Sequence, residues 1–186
     1  MNYYRAFYPI YKRATKKMCL ECENFIERGA KILDLGCGAG IVAKAFQDFF
    51  QAEVIGVDIK DQRVLQIPFR IINGRDLPFP TKSFDAVLIG YVLHHAKDPN
   101  ALLIEAKRVC RDKIVIFEDL PEGLLSEISC KIHGFSFDKF FGNPSKTSFK
   151  KEKDWEKNFN ELGLNLIFKK RKHNFPVKKE LFILGA

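Results

Sequence analysis

Five short apolar runs constrain this chain more than any other feature. They are Lys31–Leu35, Glu53–Asp58, Phe69–Ile72, Phe84–Gly90 and Lys113–Glu118, each of strand length and rich in β-branched or aromatic residues. Segments of helical periodicity, Ile41–Phe50 and Pro99–Cys110, lie between some of them. Strands that alternate with helices build a parallel sheet, because each crossover lays a helix against one of its faces. Two further runs, Leu164–Lys170 and Glu180–Leu184, lie close in sequence and predict an antiparallel hairpin at the sheet edge. The expected fold class is α/β: a doubly wound sheet of seven strands with helices on both faces.

The remainder of the 186 residues reads as part of the same unit. No internal repeat, low-complexity tract or Gly/Ser linker divides it, so a single domain over 1–186 is expected, with a helical cap at 1–29, a ligand-binding half at 30–119 and a substrate-side half at 120–186. In the cap, Phe7, Ile10, Tyr11, Ala14, Met18, Cys22, Phe25 and Ile26 recur at helical spacing; Pro9 predicts a break and Gly29 a stop. Pro121–Ile132 and Lys150–Leu162 read as helices, and "HGFSFDKFFGNPSKTS" between them as an irregular aromatic loop. The chain has no run of about 18 apolar residues, so no membrane span is expected. Its first residues lack the apolar core of a secretory signal.

Five cysteines in no regular framework predict a reduced, cytoplasmic protein. Cys19 and Cys22 form a C-x2-C, but no second pair completes a zinc site, so they are expected to pack on one helix face and no metal is expected. The net charge of +8 concentrates in Arg5, Lys12, Arg13, Lys16 and Lys17 and in residues 146–179, which hold eleven Lys/Arg against four acids. Such a surface either attracts nucleic acid, anionic lipid or acidic small molecules, or is simply a soluble lysine-rich face. No helix-turn-helix or aromatic-interleaved RNA pattern favours the first.

"ILDLGCGAG", residues 32–40, ends the first strand in an acid and three alternating glycines. In open parallel sheets ligands sit beyond the carboxyl ends of the strands, and glycines let backbone approach them closely. A dinucleotide fingerprint needs a third glycine at position 41, which is Ile, and no Gly-Lys-Ser/Thr follows for a phosphate loop. A plain strand–helix turn stays open at this point. Asp58, closing the second strand in "VIGVDIK", suits ribose hydroxyls, and Asp76 in "INGRDLPFP" suits an adenine amino group.

With "NGRDLPFPTKSFDAVLIGYVLHHAKDP" and "EAKRVCRDKIVIFED", these motifs follow the order found in the class I S-adenosylmethionine-dependent methyltransferases, and the chain resembles that family, especially its ubiquinone- and menaquinone-biosynthesis-type members. The resemblance implies a Rossmann-like sheet of order 3-2-1-4-5-7-6 with strand 7 antiparallel, and S-adenosyl-L-methionine as cofactor with S-adenosyl-L-homocysteine as product. It implies that Asp34, Gly36, Cys37, Gly38 and Gly40 line the methionine part, that Asp58 and Ile59 take the ribose and adenine, that Asp76 and Leu77 read the adenine edge, and that Gly90 and Tyr91 lie near the sulfonium. The chain departs from the family in two places. Only 18 positions separate Asp58 from Asp76, so the helix between strands two and three shrinks to about a turn. The turn before strand five is compressed to "CRDK".

Methyl transfer is an in-line displacement, so the protein mainly aligns the nucleophile; a base is needed only if that nucleophile arrives protonated. His94, His95 and Glu118 are the candidate catalytic groups; the histidines otherwise pack and cap their loop, and Asp119 otherwise caps the helix after it. Tyr3, Tyr4, Tyr8 and Tyr11 are candidates for a lid or an anchor. The phenylalanines of "FSFDKFF", with Phe149 and Trp155, either wall an apolar acceptor pocket or bury the sheet edge. "GYVLHH" stands where base-amine methyltransferases carry an Asn/Asp-Pro-Pro-aromatic run, which favours a small-molecule acceptor at oxygen, nitrogen or carbon. Nucleic acid or protein docked on the basic segment is the alternative, as is a cofactor-binding partner subunit without activity; a monomer or homodimer is expected.

Overall fold

The structure is a computed structural model and describes residues 8–141, 147–172 and 176–186. The expected roles of Tyr3 and Tyr4 lie outside these residues. The elements run α1 (Tyr8–Cys22), β1 (Lys31–Leu35), α2 (Ile41–Phe50), β2 (Glu53–Asp58), β3 (Phe69–Ile71), β4 (Phe84–Gly90), a 3-10 turn (Leu93–His95), α3 (Pro99–Val109), β5 (Cys110–Leu120), α4 (Leu124–Phe141), α5 (Glu152–Glu161), β6 (Asn165–Lys172) and β7 (Lys178–Gly185). All seven strands form one sheet in the order β3-β2-β1-β4-β5-β7-β6. The first five are parallel and β7 is antiparallel to both neighbours, as the resemblance implies.

The two-residue period of a strand divides the core between the two faces. Ile114 and Ile116 of β5 face one side with Leu33, Val87 and Phe182, under Leu103 of α3 and Trp155 and Phe159 of α5. Val115 and Phe117 face the other with Ile32, Leu88 and Ile183, under Met18 and Cys22 of α1 and Phe46 and Phe50 of α2. Cys19 and Cys22 are buried there, and burial pushes the Cys19 thiol up to about 12, so this pair packs as small apolar groups.

Several local expectations change. Pro9 is the second residue of α1, where its missing N–H costs no hydrogen bond; the expected break with the chain before it lies outside the described residues. "CRDK" is no turn: α3 passes directly into β5, and Lys113 already pairs with Ala86. The crossover from Asp58 to Phe69 contains no helix. The largest change is α4, which runs through "HGFSFDKFF" to Phe141. Its apolar residues cover both faces. Cys130 and Gly134 turn inward, whereas Leu124, Leu125, Ile128, Ile132 and Phe135 are exposed, so no single helical stripe announces it.

Phe46 is fully buried between α2 and the sheet. Phe46→Ala is expected to cost about 3–5 kcal/mol through lost burial and the cavity left behind, read as a fall in the midpoint of urea unfolding with the slope unchanged.

Candidate active site

Parallel strands deliver their carboxyl ends to one edge, and a cleft of about 2100 Å³ opens there. Ordinary small-molecule pockets span roughly 300–1,000 Å³, so this one has room for two ligands side by side. The turn between β1 and α2 forms its head. Gly36 has φ +78°, and a Cβ there would lie 2.5 Å from a Val92 methyl, so the turn packs against the segment after β4 with no room for a side chain. Gly38 differs: a Cβ would meet nothing within 4 Å, and its amide donates to Asp58 Oδ2 at 2.8 Å. The Ile59 amide donates to Asp58 Oδ1 at 2.7 Å and the Lys60 amide also bonds to this carboxylate, so three main-chain donors fix it across the turn.

Asp34 lies beneath them, 2 % exposed, on the cleft wall. The Ala43 amide in the first turn of α2 favours its charged form, yet Oδ2 has no hydrogen-bond partner among the described residues. Burial, followed by the charge of nearby Asp58, pushes Asp34 up to about 7. A buried carboxylate with an orphaned oxygen is a receptor for a cationic donor.

Of the residues expected to hold a ligand, Asp34, Gly36, Cys37, Gly38, Asp58, Ile59, Gly90 and Tyr91 line the cleft. Gly40 does not; its Cα faces the Leu65 carbonyl and Ile67. Neither Asp76 nor Leu77 reaches the wall, which Ile72, Asn73, Gly74 and Arg75 supply instead. The Asn73 side chain accepts the amides of Arg75 and Asp76 and donates to Asp76 Oδ2 at 3.0 Å, curling the chain away. Leu77 then enters the core, and its amide is taken by Glu105 at 2.8 Å. The Asn73-Gly74 dipeptide is the sequence sign of this turn.

The other end of the cleft is built after β4. Tyr91 sits at φ 59° and turns the chain into the 3-10 segment that carries the histidines. Glu118 is fully buried: Oε1 accepts the Leu93 amide at 2.9 Å and Oε2 meets His94 Nδ1 at 2.5 Å. Burial of His94 opposes its protonation, but the Glu118 carboxylate outweighs this and raises its pKa. His94 and Glu118 thus lie behind the wall, while His95 lies on it. Burial, then the neighbouring His94 and His133, lowers His95 to about 2, so it is neutral throughout the physiological range. Along β5 the side chains alternate, so Asp119 faces the cleft, 3.5 Å from Lys179 Nζ. Tyr11 of α1 also reaches the wall. The sequence carries no signal for Lys179 or for His133 of α4, since the cleft gathers them only through tertiary packing, whereas Phe137, one of the phenylalanines of "FSFDKFF", lies on the wall.

The profile of the family described as "Methyltransferase domain" matches residues 33–117, from β1 to β5, which carry the glycine turn, Asp58 and the histidine turn. This stretch is similar to the class I S-adenosylmethionine-dependent methyltransferases. An uncharacterized methyltransferase of Schizosaccharomyces pombe is 32% identical over 107 residues, 47% of this chain and 38% of that protein. Demethylmenaquinone methyltransferase of Tropheryma whipplei is 33% identical over 96 residues, 46% of this chain and 39% of that protein. The chain thus spans about two fifths of the length of these relatives. Its fold is that of magnesium protoporphyrin IX methyltransferase from Synechocystis PCC 6803, solved with bound SAH: TM-score 0.72 and 16% identity, covering 100% of this chain and 88% of that one. Among the described residues no helix is long and apolar enough to cross a membrane.

Asp34 gives a test independent of any ligand. A carboxyl group raised in the fold favours the native state while protonated; that contribution is complete below about pH 4 and is lost as pH rises through about 7. Asp34→Asn removes the loss. The ligand-free variant is expected to melt several degrees above the wild type at pH 8 and close to it at pH 4, by calorimetric Tm.

Proposed function

We propose that this chain transfers a methyl group from S-adenosylmethionine to a small-molecule acceptor. The observation that carries the reading is the buried Asp34 carboxylate, with one oxygen unpartnered, beside Asp58 at the head of a cleft large enough for two ligands. The α-ammonium of the methionine part supplies the missing partner and offsets the repulsion between the two acids. Asp58 keeps acceptor capacity beyond its bonds to the Gly38, Ile59 and Lys60 amides for a ribose hydroxyl. The open face of Gly38 accepts the backbone-like methionine portion, and Ile59, Ile72 and the Asn73–Arg75 turn flank the adenine. S-adenosylmethionine supplies a methyl group already activated on a sulfonium that is also the leaving group.

The chain's own work is then to orient the acceptor and exclude water. Met18, Tyr91, Leu102 and Phe137 give the distal half an apolar wall, and His95 and Asp119 add polar groups that fix orientation. The basic segment supports a small acceptor over a docked macromolecule, because much of its charge is already paired. Lys169 binds Glu152 and Glu156, Arg171 binds Glu122, Glu152 and Glu180, and Lys170 and Lys172 face Glu21.

Titration calorimetry with S-adenosylmethionine and S-adenosylhomocysteine tests the reading. One saturable site per chain is expected, weakened at least about tenfold in Asp58→Ala through loss of the ribose acceptor. Binding of neither ligand would sink the proposal. Tight RNA binding with a steep salt dependence would move the acceptor to nucleic acid.

A further inference from the structure

We infer that His94, His95 and His133 form a site for one divalent transition-metal ion of the zinc type at the wall of the cleft. The three histidines come from two elements far apart in sequence, the 3-10 turn after β4 and the middle of α4. Each offers a ring nitrogen within 4.8 Å of the other two. The expectation of no metal came from the incomplete Cys19/Cys22 pair, and these thiols lie elsewhere, packed beneath α1.

Two observations point to a ligand rather than to packing. The first is His94 Nε2, buried with no hydrogen-bond partner among the described residues, on a ring that is 1 % exposed. Its Nδ1 is held by Glu118 at 2.5 Å. This is the arrangement in which a carboxylate fixes the tautomer and aim of a metal-ligating imidazole and raises its donor strength. The second is a parallel relay on the neighbouring ring. Asp138 meets Thr147 Oγ1 at 2.6 Å, and that hydroxyl meets His95 Nδ1 at 2.9 Å. Both rings are also clamped flat: Phe149 stacks on His94 with centroids 4.5 Å apart, and Phe137 on His95 at 3.6 Å. Orienting partners and aromatic walls fix two ligands in advance, while His133 is exposed.

Burial, then His94 and His133, lowers His95 to about 2, and burial and His94 lower His133 as well, so these two rings offer neutral donors. Glu118 raises His94, so that ring gives up its proton when the metal binds. Zinc–nitrogen bonds of about 2.0–2.1 Å in a tetrahedron place ligand nitrogens roughly 3.4 Å apart, so binding draws the trio together by about an ångström from their separation of up to 4.8 Å. Three protein ligands leave a fourth position, as in catalytic rather than structural zinc sites. His95 and His133 line the cleft, so that position opens toward the acceptor half. On the methyl-transfer reading proposed above, an acceptor hydroxyl oxygen occupies it, and the metal favours its deprotonated, nucleophilic form.

The test uses the full chain, stripped with a chelator and titrated with zinc chloride, with cobalt(II) as a spectroscopic stand-in. The expected result is one zinc per chain and an intense tetrahedral cobalt band in the visible. His133→Ala, at an exposed position and checked for unchanged Tm without metal, is expected to lose at least about tenfold in zinc affinity and to lose the cobalt band. Absence of stoichiometric zinc binding, or binding untouched by His133→Ala, would overturn the inference. Calorimetry with S-adenosylmethionine on the same samples separates the two proposals. Asp58→Ala is expected to lose that ligand and keep zinc, and His133→Ala the reverse; zinc binding without S-adenosylmethionine binding would refute the methyl-transfer reading alone.

Discussion

Five parallel strands fix where chemistry is available in this molecule. Because β1 to β5 all run the same way, their carboxyl ends meet at one edge, and the loops that leave them must cross the same small area. Asp34, Asp58, Tyr91 and Asp119 come from four different strands or their immediate ends and converge for that reason alone. The antiparallel β7 then returns Lys179 to the same edge, because its residue 179 pairs with 119. A hairpin in the opposite sense would leave Asp119 without its cation.

The site is held by a few hydrogen bonds that cross between strands. Asp58 ties the end of β2 to the turn after β1. Glu118 ties the end of β5 to the segment after β4. Each carboxylate accepts from the main chain of a neighbouring loop, so the loops are positioned by the rigid sheet rather than by one another. Asp34 is the exception. It is as buried as Glu118, yet one of its oxygens is unpartnered, and unsatisfied burial of that kind survives where function requires it.

The sheet was legible because its signals are local. Apolar runs, turn glycines and an acid closing the second run announce β1 to β5, and Asp58 follows from its place at a strand end. What stayed hidden depends on side chains meeting across the fold. Asp76 and Leu77 follow the family motif, but the Asn73 side chain curls the backbone before it reaches them. In α4, apolar residues on both faces erase the periodicity that betrays a helix, and with it the position of His133. No spacing along the chain tells that position 133 will stand beside 94 and 95.

The contact between Gly36 and Val92 carries a further meaning. The space a side chain would fill at 36 is occupied by Val92, one residue before the turn that holds His94 and His95. The glycine turn and the chain leading into the histidine turn are therefore in direct contact. A ligand that shifts the glycine turn presses on the histidine turn, and the reverse holds with equal strength, since coupling between two occupied sites is reciprocal. Two ligands in the cleft need not touch for each to change the other's affinity, and an order of arrival can be built into so small a domain without a moving lid.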